Sequence, residues 1–329
     1  MILAGDIGGT KTYLGRFIVE NGKPVLAASK CVRTLDYAGL EPMVADFLGR
    51  EDRVEVAVFG IPGPVVDDRV DVTNVPWSLD AKQLARTLNI PSVHLINDLV
   101  ATGYGTQTLT GSDLFTLNAG EPLDNQTQAL IAAGTGLGEC VIHPGGARRS
   151  VMPCEAGHAA FAPHDSLQAE LLQFLMRRSR YVCVERVLSG PGLVSIYEFL
   201  RDTGRAAENG EIAEAMQVDD PAAVIASAAE SGTDELCCRA MEVFITAYGS
   251  ECGNLAVRTM ALGGIFIGGG IAPKIVNLLA TGSFIQAFTE KERMEDMLRK
   301  IPVRVILDDR TGLMGAALFG LQTCTTDRA

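Results

Sequence analysis

Two glycine-rich turns, each set between an apolar run and a second strand-like run, constrain this chain most. Residues 5–12 read GDIGGTKT and follow the apolar start Met1 to Ala4; residues 132–139 read AAGTGLGE and follow Ala129 to Ala133. Neither matches the phosphate loops that open helices. A Walker loop needs Gly-Lys-Ser/Thr, and here Thr10 separates Gly9 from Lys11. A dinucleotide turn needs G-x-G-x-x-G into a helix, and Gly134, Gly136 and Gly138 give G-x-G-x-G into another strand. Both segments are therefore expected to be β-hairpin turns, where glycines let peptide N–H groups converge into a cradle for an anion. Thr10 and Thr135 add hydroxyl donors. Asp6, ending the first strand, is placed to hold Mg²⁺ through water. One such turn could be a plain tight hairpin; two, each ending an apolar strand in a different half, favour a ligand. A third cluster, Gly268-Gly269-Gly270, closes the strand Ile265 to Ile267, where a base or ribose can approach the backbone closely.

The remaining pattern places these turns on an α/β frame. Thr12 to Val19 reads as a strand with Tyr13, Phe17 and Val19 on one face, and Val25 to Ala28 starts a third after Asn21-Gly22. A helix over Leu40 to Leu48, a strand over Val54 to Phe59, a helix over Ala81 to Leu88 and a strand over Val93 to Ile96 follow. That strand runs into Asn97-Asp98. In the second half Glu139 to Ile142 is a strand, and helical spacing recurs at Leu167–Leu175, Leu193–Leu200, Met241–Leu255 and Met294–Ile301. Thr203 to Pro221 reads as a polar surface loop or frayed helix. Pro273 suits the first turn of a helix after the third glycine cluster, and Val303 to Leu307 is a last strand. Strand, glycine turn, strand occurring twice suggests an internal duplication.

Composition closes off other classes. At 329 residues the chain has room for about two domains. A net charge of −12 repels DNA and anionic membrane, and no local basic patch offsets it. The longest uncharged apolar stretch, Thr259 to Pro273, falls short of the ~20 residues a membrane span needs. The eight cysteines include no C-x-x-C pair and the four histidines are scattered, so neither a zinc site nor a disulfide framework is expected. Reduced thiols in a cytoplasmic protein are the expectation.

Seven segments, in order, carry a family resemblance: GDIGGTKT at 5–12, HLINDLVA at 94–101, AAGTGLGE at 132–139, MPCEAGH at 152–158, ERVLSGPGL at 185–193, GGIFIGGGIAP at 263–273 and TGLMGAA at 311–317. Through nearly its whole length the chain resembles the bacterial glucokinases outside the repressor–kinase (ROK) group, within the actin-like ATPase fold of sugar kinases, hexokinases and actin. The ROK group would carry a cysteine-rich zinc motif in residues 159–184, where only Cys183 stands. The resemblance implies two α/β domains about an interdomain cleft: residues 1–109 completed by a C-terminal helix over 312–329, and residues 110–311.

It also implies ATP-dependent phosphorylation of glucose at the 6-hydroxyl, with ATP and Mg²⁺ as cofactors and a homodimer as the assembly. Asp98 is implied as the base on the attacking hydroxyl. Asn97, Glu155, His158 and Glu185 are implied as further sugar ligands, a chemistry that suits a neutral polyol, which offers only hydroxyls to acceptors. ATP contacts are implied at Gly5, Asp6, Ile7, Gly8, Gly9, Thr10 and Lys11, at Gly134, Thr135 and Gly136, and at Gly269 and Gly270, with Asp6 on the metal. Read alone, Asp98 could instead cap a helix starting at Leu99, and Lys11 could be a solvated surface residue. Cys154 and Ala156 flank Glu155 where the family pattern has glycines. A kinase for another hexose or an N-acetylhexosamine, or an idle sugar sensor, remains as an alternative.

Overall fold

The computed structural model describes residues 1–49, 52–73, 75–145 and 149–326. They divide into two compact units: residues 1–113 with 142–153 and 308–329, and residues 114–141 with 154–307.

The first unit opens with an antiparallel hairpin, β1 (Ile2–Ile7) and β2 (Lys11–Glu20), extended by β3 (Lys23–Arg33). Asn21 and Gly22 both have positive φ, the conformation a two-residue hairpin turn demands. Helix α1 (Leu40–Phe47) leads to β4 (Val56–Ile61), which is parallel to β1. A small hairpin, β5 (Arg69–Asp71) and β6 (Ser78–Asp80), precedes α2 (Ala81–Leu88). Then comes β7 (Ser92–Asn97), parallel to β4, followed directly by α3 (Asp98–Gly105). The strand order is β3-β2-β1-β4-β7. Leu3, Ile7, Leu14, Phe59, Trp77 and Leu84 fill the core on one face.

The second sheet is built from β8 (Leu114–Asn118), β9 (Gln128–Ala133), β10 (Leu137–His143) and β11 (Ser150–Cys154), with two later strands; residues 142–153, the end of β10 and nearly all of β11, group with the first unit and the remainder with the second. Helices α4 (Ser166–Met176), α5 (Gly190–Asp202), α6 (Gly210–Val218), α7 (Pro221–Ser231) and α8 (Glu235–Thr259) follow. The chain then returns through β12 (Gly264–Gly268), short helices α9 (Val276–Leu279), α10 (Ser283–Thr289) and α11 (Glu295–Leu298), and β13 (Val303–Ile306). The strand order is β11-β10-β9-β12-β13-β8. Its first five positions repeat the order of the first sheet, so the twofold pattern seen in the glycine turns extends to the sheets. Leu193, Tyr197, Phe244, Tyr248 and Phe284 dominate this core.

Helix α12 (Thr311–Thr326) belongs to the first unit, and residues 327–329 of the expected C-terminal helix lie outside the described residues. It packs backbone to backbone against α3. A Cβ added at Gly315 would lie 1.7 Å from the Ala101 carbonyl oxygen, and one at Gly105 would lie 2.0 Å from that of Thr311. No side chain fits there.

Four local expectations change. The helix expected over Met294–Ile301 is only the single turn Glu295–Leu298, preceded by a 3₁₀ turn. Val19 is half exposed because it lies past the covered part of β2. Residues 210–218 form a regular helix, capped by Asn209, although no residue of it is fully buried. Pro273 does not start a helix: a run of turns follows Gly268, and α9 begins only at Val276.

Candidate active site

In the first unit the carboxyl ends of the parallel strands β1, β4 and β7 lie on the same side, the usual ligand-binding edge of such a sheet. Asp6 pairs with Gly60, and Ile61 with Asn97, so the ends of β1 and β7 stand two strands apart, about 10 Å. Gly60 has no side chain to hold α3 off the sheet: a Cβ there would come within 2.8 Å of the Ala101 methyl. Asn97, expected as a sugar ligand, is the N-cap of α3. Its Oδ1 accepts the N–H groups of Leu99 and Val100 at 2.9 and 3.3 Å, and its Nδ2 donates to the Gly63 carbonyl at 3.2 Å. Asp98 is therefore the first helical residue and not the cap, and its Oδ1 accepts from Leu99 N–H at 2.9 Å.

The β1–β2 turn is closed by Gly8 N–H donating to Lys11 C=O at 3.0 Å, which leaves the N–H groups of Gly9 and Thr10 inside the turn. Thr34 braces it, with its hydroxyl on the Gly8 carbonyl and its N–H on that of Thr10. Gly5 faces Phe59 too closely for any side chain, and the Ile7 side chain is core, so these two residues present only backbone at this edge. Lys11 Nζ donates to Tyr13 Oη at 2.9 Å and to Asp309 at 3.1 Å; Tyr13 also donates to Asp309. The Tyr13 hydroxyl and Lys11 hold the Asp309 carboxyl below its usual range. Asp6 behaves oppositely. Burial, with Asp98 and Asp309 adding negative charge against Lys11, pushes its carboxyl up to about 7. Gly312 allows α12 to reach it, since a Cβ there would lie 2.6 Å from Asp6 Oδ2. Asp6 offers an oxygen donor of the kind a hydrated divalent cation takes, although among the described residues no group of three or more His, Cys, Asp and Glu side chains could hold a metal ion.

In the second unit the turn Gly134-Thr135-Gly136 joins β9 to its neighbour β10, as expected for a hairpin, and is closed by Gly134 N–H on Gly136 C=O at 2.8 Å. Glu185, expected as a sugar ligand, reaches this turn: its Oε2 accepts Leu137 N–H at 2.9 Å, and a Cβ on Gly136 would sit 2.6 Å from that same oxygen. Ser189 caps α5 through Gly192 N–H, and its hydroxyl donates to the Glu185 carbonyl; Gly190 N–H then donates to the Gly134 carbonyl at 2.8 Å. Glu155 and His158 occupy an exposed 3₁₀ turn. It lies beside the 3₁₀ turn of Glu185, joined by Val184 N–H on the Ala159 carbonyl at 2.9 Å. Gly157 beneath it approaches the Leu137 carbonyl so closely that a Cβ would stand 2.1 Å away. The structure thus gathers Glu155, His158, Glu185 and the 134–136 turn. Gly269 has φ of +82° and backs onto the Ala133 carbonyl, while Gly270 faces open space.

The comparisons with known proteins agree with one another. A family model described as Glucokinase matches residues 3–323. A glucokinase of Trichormus variabilis is 43% identical over 335 residues, spanning 97% of this chain and 98% of the relative. One of Synechocystis is 40% identical over 347 residues, spanning 98% of each. The solved structure of a glucokinase from an Antarctic psychrotroph matches with a TM-score of 0.84 at 26% identity, over 98% of each chain. The chain belongs to the glucokinase family.

Within this glucokinase fold, several residues that shape the site carry no sequence-level assignment. Asp309 and Gly312 act on Lys11 and Asp6 from nearly 300 positions away. Ser189 and Gly190 clasp the second turn; Ser-Gly-Pro before an apolar run is an N-terminal helix signature that could have shown the cap, though not what it holds.

Proposed function

We infer that this chain transfers the γ-phosphoryl group of ATP to the 6-hydroxyl of glucose. The observation that carries this reading is the 43% identity to a glucokinase along 97% of the chain, which includes the Asp98 segment and both glycine turns. Asp98, at the ligand edge of its sheet, accepts the proton of the 6-hydroxyl as that oxygen attacks the γ-phosphorus; the bond to the ADP oxygen breaks and ADP leaves. Asn97, Glu155, His158 and Glu185 hold the ring hydroxyls. The N–H groups and hydroxyls of the turns at Gly8-Gly9-Thr10 and Gly134-Thr135-Gly136 carry phosphates, Lys11 adds charge, and Gly269 and Gly270 face the adenosine. Asp6 would hold Mg²⁺ through water, and the ion would neutralise charge on the phosphates. Most of the rate comes from positioning and charge neutralisation.

Residues 1–109 with 312–329, and residues 110–311, act as the two domains in this reading. A homodimer and a cytoplasmic setting complete it; among the described residues no helix is long and apolar enough to cross a membrane. The test is a coupled assay with ATP, Mg²⁺ and a panel of hexoses and N-acetylhexosamines. A kcat/KM for glucose below that for another sugar of the panel, or no transfer at all, would overturn it.

A further inference from the structure

Glu139, the last residue of the AAGTGLGE segment, is 1% exposed, and neither of its carboxylate oxygens has a hydrogen-bond partner among the described residues. It lies on the same face of β10 as Leu137, the residue whose N–H is held by Glu185 and whose carbonyl lies under Gly157. Its surroundings are unequal in burial. On α8 the charged or polar groups near enough to act on it electrostatically are Tyr248, Glu251, Cys252 and Arg258, with Tyr248 and Cys252 fully buried. Arg258 offers little charge compensation, because it is paired with Glu251 at 2.7 Å. Lys291, the next cation, faces Glu251 and donates to Ser250. Strand β11, the neighbour of β10 in the sheet, ends at Cys154, which is only part-buried, lies within electrostatic reach of Glu139 and continues directly into the exposed Glu155.

We propose that Glu139 is a positioning residue for sugar binding, which in its uncharged form keeps the Cys154–Glu155 segment seated and on ionising displaces it. A carboxylate cannot stay buried without donors. When Glu139 ionises, the wall that can yield is the end of β11, since α8 is packed through the core. Displacing that end moves Glu155, and the new negative charge lies beneath it. Burial, reinforced by Glu251 and opposed by Arg258, pushes the Glu139 carboxyl up to about 8, so the change falls in the mildly alkaline range. The inference rests on the glucokinase reading of Glu155.

The experiment measures glucose KM, ATP KM and kcat from pH 6.5 to 9.5 for the wild type and Glu139→Gln. The amide keeps the shape of the acid and cannot ionise. Glucose KM of the wild type is expected to rise about tenfold per pH unit above 8 with ATP KM nearly level, and to stay flat in Glu139→Gln. Parallel profiles for the two proteins overturn the proposal. Calorimetry on the wild type alone guards against a variant that fails to fold. Glucose binding at pH 9 should take up close to one proton per chain, read from heats in buffers of different ionisation enthalpy, and no uptake refutes the role of Glu139. Absence of glucose binding at every pH instead refutes the glucokinase reading, and the proposal with it.

Discussion

Gly136→Ala is expected to damage glucose binding, although Gly136 stands in a turn proposed to carry phosphate. The added Cβ would lie 2.6 Å from Glu185 Oε2, the atom that accepts Leu137 N–H at 2.9 Å. That is well inside contact distance. The flexible end of Glu185 can give way without unfolding anything. It has to back off by about half an ångström, which takes the Leu137 bond past the ~3.2 Å limit of a good N–H···O contact. A hydrogen bond to a charged group contributes about 1.5–3 kcal/mol; acting wholly on the placement of Glu185, its loss would raise glucose KM about 10- to 150-fold, which is the upper bound, the remainder appearing as lost stability. The coupled assay reads glucose and ATP saturation separately. Glu185→Gln should weaken glucose binding by itself, and adding Gly136→Ala to it should cost little more, because both act on one contact. If Gly136→Ala raises ATP KM tenfold and leaves glucose KM within a factor of three, Glu185 is not the link between turn and sugar.

Asp98→Asn should lower kcat by about 10²–10⁴-fold with the fold intact, and a kcat within a factor of a few of wild type would send the search for the base elsewhere. Asn97→Ala should cost about 1 kcal/mol of stability through loss of the α3 cap, seen as a lower Tm in thermal denaturation; an unchanged Tm would contradict the capping geometry. Asp6→Asn should abolish transfer yet stabilise the metal-free protein at pH 8 by up to about 4 kcal/mol. The folded-state value near 7 lies above the ordinary 3.8, so the cost of burying Asp6 charged is absent below about pH 4 and complete above about pH 7. A gain that is as large at pH 4 as at pH 8 would exclude this cause. Gly315→Ala should lower stability by about 1–3 kcal/mol or more, because its methyl would meet the Ala101 carbonyl at 1.7 Å, and an unaltered melting curve would show that α3 and α12 can separate freely.

Much of this protein is legible in order along the chain. The two hairpin turns, the strands feeding them and α2 with its limits at Ala81 and Leu88 follow from local signals: glycine clusters, alternation, helical spacing. Such signals depend on neighbouring residues, and neighbouring residues are what a sequence displays. Pro273 misleads because a favourable φ permits a helix start without requiring one; a run of turns occupies that stretch instead. Asp98 was readable as either a cap or a base. Local geometry settles the first half of that choice, because Oδ1 of Asn97 already accepts the N–H groups that a cap would.

By itself the sequence determined the principal elements in their order, though not the short strands at 69–80, 114–118 and 150–154 or the helix over Pro221–Ser231, together with the twofold repeat of strand, glycine turn and strand, and the family. The tertiary structure alone decided what each polar group faces. Glu185 meets a peptide N–H 48 positions earlier. Asp309 meets Lys11, and Gly312 meets Asp6, across almost the whole chain. Glu139 reads as a polar residue at the end of a motif and proves to be buried with neither carboxylate oxygen hydrogen-bonded among the described residues. Hydrogen bonds and desolvation act over a few ångströms of space, whatever the separation in sequence, and only the packing of whole sheets and helices brings such residues within that reach.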